Sequence, residues 1–190
     1  MKEKYAIALS VLERLKQGNK IYINSAKSIG DISPDKRLNT SKNGQKPYAV
    51  IVGCSDSRVI PECIFSAGIG DLFVIRVAGN VVDNCQLGSI EYAVEHLWCK
   101  LVVVLGHTGC GAVSAALGEN HGYIKHITDE IKHAVGCESD TVKASILNVE
   151  HTVSKIKDSL PQMNSVLVCG ALYHTESGVV DFFDCNKTEI

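Results

Sequence analysis

The sequence predicts an α/β fold: a mostly parallel central sheet of about four parallel strands plus an antiparallel edge strand, flanked by helices. Three observations predict it. Short runs rich in β-branched residues are apolar almost without interruption, which suits strands buried on both faces. Between two of those runs lies a segment with helical spacing, long enough to cross over the sheet and bring the next strand in parallel. A length of 190 residues suits one domain with a substantial core, so 1–190 is read as a single unit with an N-terminal helical arm over about 1–45.

The elements follow in order. The opening segment MKEKYAIALSVLERLKQG scatters charges among its apolar positions, so it reads as an amphipathic helix and not as a signal peptide. Its Leu9, Leu12 and Leu15 require an apolar surface to cover them. Residues 25–46 are polar and read as a surface connection with some short helix. Strands are expected at 48–53 (YAVIVG), 72–77 (LFVIRV) and 101–106 (LVVVLG). Between the last two, Leu87, Ile90, Val94 and Leu97 share one face of a helix over 87–97. Further helical patterns cover 112–117, 124–135 and 142–156. A last strand at 165–171 leads through polar residues to 179–183, expected as an antiparallel hairpin at the sheet edge.

Composition excludes several classes. A net charge of −2 offers no electrostatic attraction for nucleic acid or an anionic membrane surface. No stretch approaches the ~18 unbroken apolar residues of a membrane span. The eight cysteines lack an export signal beside them, and Cys99 and Cys169 sit in or beside apolar runs, where a free thiol packs as a small hydrophobe. A reducing cytoplasm is therefore expected. Cys63, Cys85, Cys99, Cys137, Cys169 and Cys185 take a structural reading.

Two segments begin where a buried strand is expected to end. One is Cys54-Ser55-Asp56-Ser57-Arg58, the other His107-Thr108-Gly109-Cys110-Gly111. In open α/β sheets the carboxyl ends of strands form the crevice where ligands bind. Thiolate and imidazole are ligands that zinc prefers, and three protein ligands with an open fourth position are the arrangement of a catalytic site. His107 and Cys110 are spaced to chelate from one turn, and Cys54 completes the set from another strand. The spacing also fits buried thiols and a hydrogen-bonded turn histidine, but the polar company of Cys54 favours the metal. Gly109 and Gly111 either permit close backbone approach at a helix start or simply form a turn.

The pattern C-S-D-S-R, followed about fifty residues later by H-x-x-C-G, resembles the signature of the β-class carbonic anhydrases. Gly70-Asp71-Leu72-Phe73, Arg76-Val77-Ala78-Gly79-Asn80, Gly88-Ser89-Ile90-Glu91-Tyr92-Ala93 and Gly18-Asn19-Lys20 also resemble family segments, in family order. The likeness runs over roughly 10–117, with one small departure at Thr108-Gly109 that bears on local loop packing.

The resemblance implies reversible hydration of carbon dioxide to bicarbonate and a proton by a zinc-bound hydroxide. It implies one Zn2+ per subunit on Cys54, His107 and Cys110, and a dyad in which Arg58 grips Asp56 and keeps the fourth position open. Gln45, Phe73 and Tyr92 would line the substrate pocket with Gly111, some of them across a dimer interface. A homodimer or larger homo-oligomer is implied, with the N-terminal helix packed on the partner. Two thiolates cancel the metal's charge, so activity is expected to climb on the alkaline side of neutrality.

The plainer alternatives are a surface ion pair for Asp56 and Arg58, a surface amide for Gln45 and core aromatics for Phe73 and Tyr92. Two rival functions share these residues: a hydrolase of carbon disulfide or carbonyl sulfide, and a non-catalytic zinc protein in which Asp56 closes the metal shell.

Overall fold

In the computed structural model, which describes residues 4–25, 30–160, 163, 165–183 and 185, the strands are β1 (Ala49–Gly53), β2 (Leu72–Arg76), β3 (Leu101–His107), β4 (Leu167–Tyr173) and β5 (Val180–Phe183). They form one sheet in the order β2-β1-β3-β4-β5. β1 is parallel to β2 and β3, β3 is parallel to β4, and β5 runs antiparallel along β4 at the edge. Every residue of β1, β3 and β4 is buried, which is the physical reason their sequences do not alternate.

The helices are α1 (Ala6–Asn24), α2 (Pro34–Asn43), α3 (Pro61–Ile64), α4 (Asn84–Glu95), α5 (Gly111–Ala116), α6 (Ile124–Val135) and α7 (Thr141–Ser159). Alternate strand residues serve two layers. Ile51, Val103, Leu105 and Ala171 pack with Ala8, Leu12 and Leu15 of α1. On the other face Val50, Val52, Val102, Val104 and Val168 pack with Ile90 and Val94 of α4 and with Val149, Val153 and Ile156 of α7. No described helix is long and apolar enough to cross a membrane.

One difference from the sequence expectations has a clear cause. α4 begins at Asn84, ahead of its apolar period, because Asp83 forms a capping box. The Asp83 carboxylate accepts from the Cys85 N–H at 2.8 Å, and Gln86 Oε1 accepts from the Asp83 N–H at 2.9 Å. Within the chain, Leu12 and Leu15 of α1 belong to the core, and Leu9 packs against it half-buried. The Gly18-Asn19 pair explains that docking. A Cβ on Gly18 would lie 2.0 Å from the Phe65 carbonyl oxygen, so only glycine allows the approach. Asn19 then donates to the Ile64 and Gly178 carbonyls and accepts from the Val180 N–H, joining α1 to α3 and β5.

Candidate metal centre

β1 and β3 are parallel neighbours, with Gly53 opposite Leu105, so both strands end on the same side of the sheet. Cys54 leaves β1 there. His107 is the last residue of β3, still paired with Tyr173 of β4, and Cys110 caps α5. Cys54, His107 and Cys110 are all buried, and their candidate ligand atoms lie within 4.8 Å of one another. Among the described residues no other group of three His, Cys, Asp or Glu side chains meets that condition.

The histidine is already oriented. His107 Nδ1 lies 3.0 Å from the Thr108 carbonyl oxygen, which can only accept, so Nδ1 carries the hydrogen and Nε2 keeps its lone pair. That Nε2 is buried without a hydrogen-bond partner. An orphaned imidazole lone pair beside two buried sulfurs is a donor set that fits zinc. The turn carrying it is fixed to the end of β4. The Thr108 N–H donates to the Tyr173 carbonyl at 3.0 Å, and the Thr108 hydroxyl oxygen accepts from the Thr175 N–H at 3.1 Å. Gly109 takes φ +66°, which the turn into α5 requires. Thr108 thus gives the departing loop its own anchor.

The Cys54 sulfur collects donors. The Asp56 N–H reaches it at 3.4 Å and the Gly79 N–H at 3.2 Å. The Cys110 thiol is the strongest of its partners, and against the opposing effect of burial these bonds pull the Cys54 thiol down to about 4. Cys110 is pushed up, first by sharing that hydrogen bond and then by burial. Of the two thiols, Cys110 is therefore the one that holds its proton more tightly.

Asp56 borders this cluster, with Oδ2 3.9 Å from His107 Nε2. Arg58 holds both carboxylate oxygens, Nε to Oδ1 at 3.0 Å and Nη2 to Oδ2 at 2.8 Å, while its own backbone N–H also donates to Oδ1. Arg58 Nη2 further donates to the Gly109 carbonyl at 3.0 Å, linking the β1 loop to the His107–Cys110 turn. The guanidinium keeps the Asp56 carboxyl well below the usual carboxylate range.

Of the other expected site residues, Gln45, Phe73 and Tyr92 stand elsewhere within one chain. Gln45 lines an open groove of about 470 Å³ with Arg37, Thr40, Ser41, Ile69 and Gly70. Phe73 is paired with Val50, toward the amino end of the sheet, whereas the ligands lie past its carboxyl end. Its ring centroid is 6.2 Å from that of Tyr92, an exposed residue of α4. Gly111 opens α5 beside Cys110, with free space where a side chain would be.

One residue given no role by the sequence reading is Arg76. It ends β2 and donates from Nε to the Cys54 carbonyl at 3.0 Å and from Nη2 to the Asp56 carbonyl at 2.6 Å. A lone arginine closing an apolar strand was the available signal.

Fold and site together set a buried Cys-His-Cys group, able to hold a metal ion, at the carboxyl edge of a parallel sheet. The family model described as carbonic anhydrase matches residues 49–180, and the chain belongs to that family, in its β class. It is 46% identical over 127 residues to Carbonic anhydrase 2 of Mycobacterium tuberculosis, a match covering 64% of this chain and 61% of that protein. The chain thus spans about three fifths of that relative's length. A carbonic anhydrase of Mycolicibacterium smegmatis is 34% identical over 185 residues, covering 88% of this chain and 89% of that one. The fold is similar to the crystal structure of a β-carbonic anhydrase of Aspergillus fumigatus, with a TM-score of 0.71, 29% identity, and 80% and 83% of the two chains covered.

Proposed function

We propose that this chain catalyses the reversible hydration of carbon dioxide to bicarbonate and a proton, with one Zn2+ per subunit held by Cys54, His107 and Cys110. The observation that carries the proposal is the orphaned Nε2 of His107 beside the two buried sulfurs, with a carboxylate at the margin already gripped by arginine. Zinc in that donor set would supply the Lewis acidity that lets water lose a proton, on the alkaline side of neutrality because two thiolates cancel much of the metal's charge.

The chain's own residues do the rest. Arg58 occupies both oxygens of Asp56, so the carboxylate is held back from becoming a fourth ligand. Asp56, kept anionic, is an acceptor that orients the hydrogen of the reacting water toward itself and its lone pair toward carbon dioxide. Arg76 fixes the two carbonyls of the same loop and so limits how far Asp56 can travel.

The substrate pocket is completed by a second copy of the chain in a homodimer or larger assembly. β2 is an edge strand, its residues Phe73, Val74 and Ile75 are half-buried, and Tyr92 is exposed beside them. Such an edge is normally covered. Gln45, Phe73 and Tyr92, set apart from the ligands of their own chain, then serve the pocket from across the interface, with Gly111 leaving room beside Cys110. Buried cysteines outside any disulfide, Cys54, Cys99, Cys110 and Cys169, suit a reducing, cytoplasmic setting.

Stopped-flow hydration of carbon dioxide by metal-quantified protein tests the proposal. Turnover in proportion to zinc content is expected. A full zinc complement with no turnover overturns it, and turnover of carbonyl sulfide or carbon disulfide in its place reassigns the substrate.

A further inference from the structure

Behind the Cys54 sulfur a polar link runs out of the site and into α7. The Gly79 N–H donates to Cys54 Sγ at 3.2 Å, and the Gly79 carbonyl accepts from Asn148 Nδ2 at 2.7 Å. The turn between them is unusual. Gly79 has φ +67° and Asn80, which follows it, has φ +48°, two consecutive residues in the left-handed region. Glycine and asparagine are the residue types that take the left-handed region most readily, so the sequence suits this turn. A Cβ on Gly79 would lie 2.7 Å from Ile131 Cδ1, so α6 presses on the turn from one side while Asn148 draws it from another.

Asn148 is 1% exposed, on the apolar face of α7. The other buried polar residues of that face bond back into their own helix, Ser145 to the Thr141 carbonyl and Thr152 to the Asn148 carbonyl. Asn148 alone among these three reaches out of the helix, and it does so although its Oδ1 remains without a hydrogen-bond partner. A buried acceptor left unpaired is unfavourable, so packing alone would be better served by leucine.

We propose that Asn148 is a positioning residue of the metal centre: it holds the Gly79 peptide so that its N–H stays on the Cys54 sulfur and draws charge from that thiolate. With two thiolates in the ligand set, each N–H···S bond leaves the metal more electron-poor, and outer partners of this kind tune both affinity and reactivity. The inference rests on the zinc reading above.

Cobalt(II)-substituted protein and amide exchange test it. Asn148→Leu removes the amide at nearly constant volume, and Ser145→Ala, on the same buried face, is the control. In Asn148→Leu the thiolate-to-cobalt absorption should move to lower energy and the Gly79 amide should exchange at least ~10-fold faster. Zinc affinity should fall by about 10-fold. Ser145→Ala should leave all three unchanged. If Asn148→Leu folds and keeps the wild-type absorption and Gly79 exchange, the positioning role is wrong whatever the change in stability. If it does not fold, the 113Cd-loaded wild type decides. A scalar coupling between cadmium and the Gly79 amide proton that is lost in a folded Asn148→Ala supports the role, and its absence in the wild type overturns it. Wild-type protein with no thiolate-to-cobalt band at all would instead sink the metal reading itself.

Discussion

Cys54 and Cys99 are buried to nearly the same degree, 4% and 1% exposed, beyond opposite ends of the same sheet, yet their chemistry is opposite. Cys99 stands before β3, at the amino end of the sheet, and its thiol donates to the Pro47 carbonyl at 3.3 Å. Burial pushes it up to about 11. Cys54 stands after β1, at the carboxyl end, and is pulled down to about 4 by the Cys110 thiol and, after burial has opposed it, by the His107 side chain and the turn N–H groups. Burial alone therefore does not decide what a cysteine is for. A carbonyl beside a thiol favours the proton, whereas donors favour the thiolate, which is the metal-binding form.

The largest test of that contrast is Cys54→Ser, which should lose zinc and activity together, as should His107→Ala. Metal analysis beside stopped-flow rates checks this, and full zinc retention would remove the ligand assignment. Next comes Arg58→Ala. It should keep zinc and fold but release Asp56 toward the metal, lowering the hydration rate by ~100-fold or more. Near-normal rates with an unchanged cobalt spectrum would show that nothing needs holding back.

A third test uses pH on the metal-free protein, where the two thiols contribute with opposite sign. The Cys54 thiol lies below its ordinary value of 9.0, so its stabilisation is present above pH 9.0 and is lost as pH falls toward about 4. The Cys99 thiol lies above 9.0, so its stabilisation is present below pH 9.0 and is lost as pH rises toward about 11. Urea unfolding of Cys54→Ala should show a weaker acid-side loss than the metal-free parent, and Cys99→Ala a weaker alkaline loss. Equal slopes in all three proteins would break the comparison. The smallest effect is expected for Cys99→Ala near neutrality, about 1 kcal/mol of stability with zinc content and rate unchanged.

Much of this was legible along the chain, because the relevant signals are local. The apolar runs of β1, β3 and β4 declare strands covered on both faces, since nothing else excuses so little polarity. The change from YAVIVG to CSDSR, and from LVVVLG to HTGCG, marks strand ends rich in chemistry. Spacing alone also puts His107 and Cys110 on one turn. Asp83 and Gln86, by contrast, shifted the start of α4 through a side-chain bond that apolar periodicity does not register.

What only the tertiary structure decided are contacts between residues far apart in sequence. The neighbouring of β1 and β3 brings Cys54 to His107 and Cys110, and it is the sheet order that makes them neighbours. The hydrogen on His107 Nδ1 follows from the direction of one carbonyl. Arg76 and Asn148 reach the Cys54 loop from β2 and α7, and no spacing announces either. The leucines of α1 demanded an apolar surface, and the fold supplied one from within the chain. Sequence thus determined which side chains bring chemistry and where strands end, because those depend on neighbours along the chain. Which of them meet, and in what protonation state, depends on long-range packing and on the donors that packing sets around each sulfur.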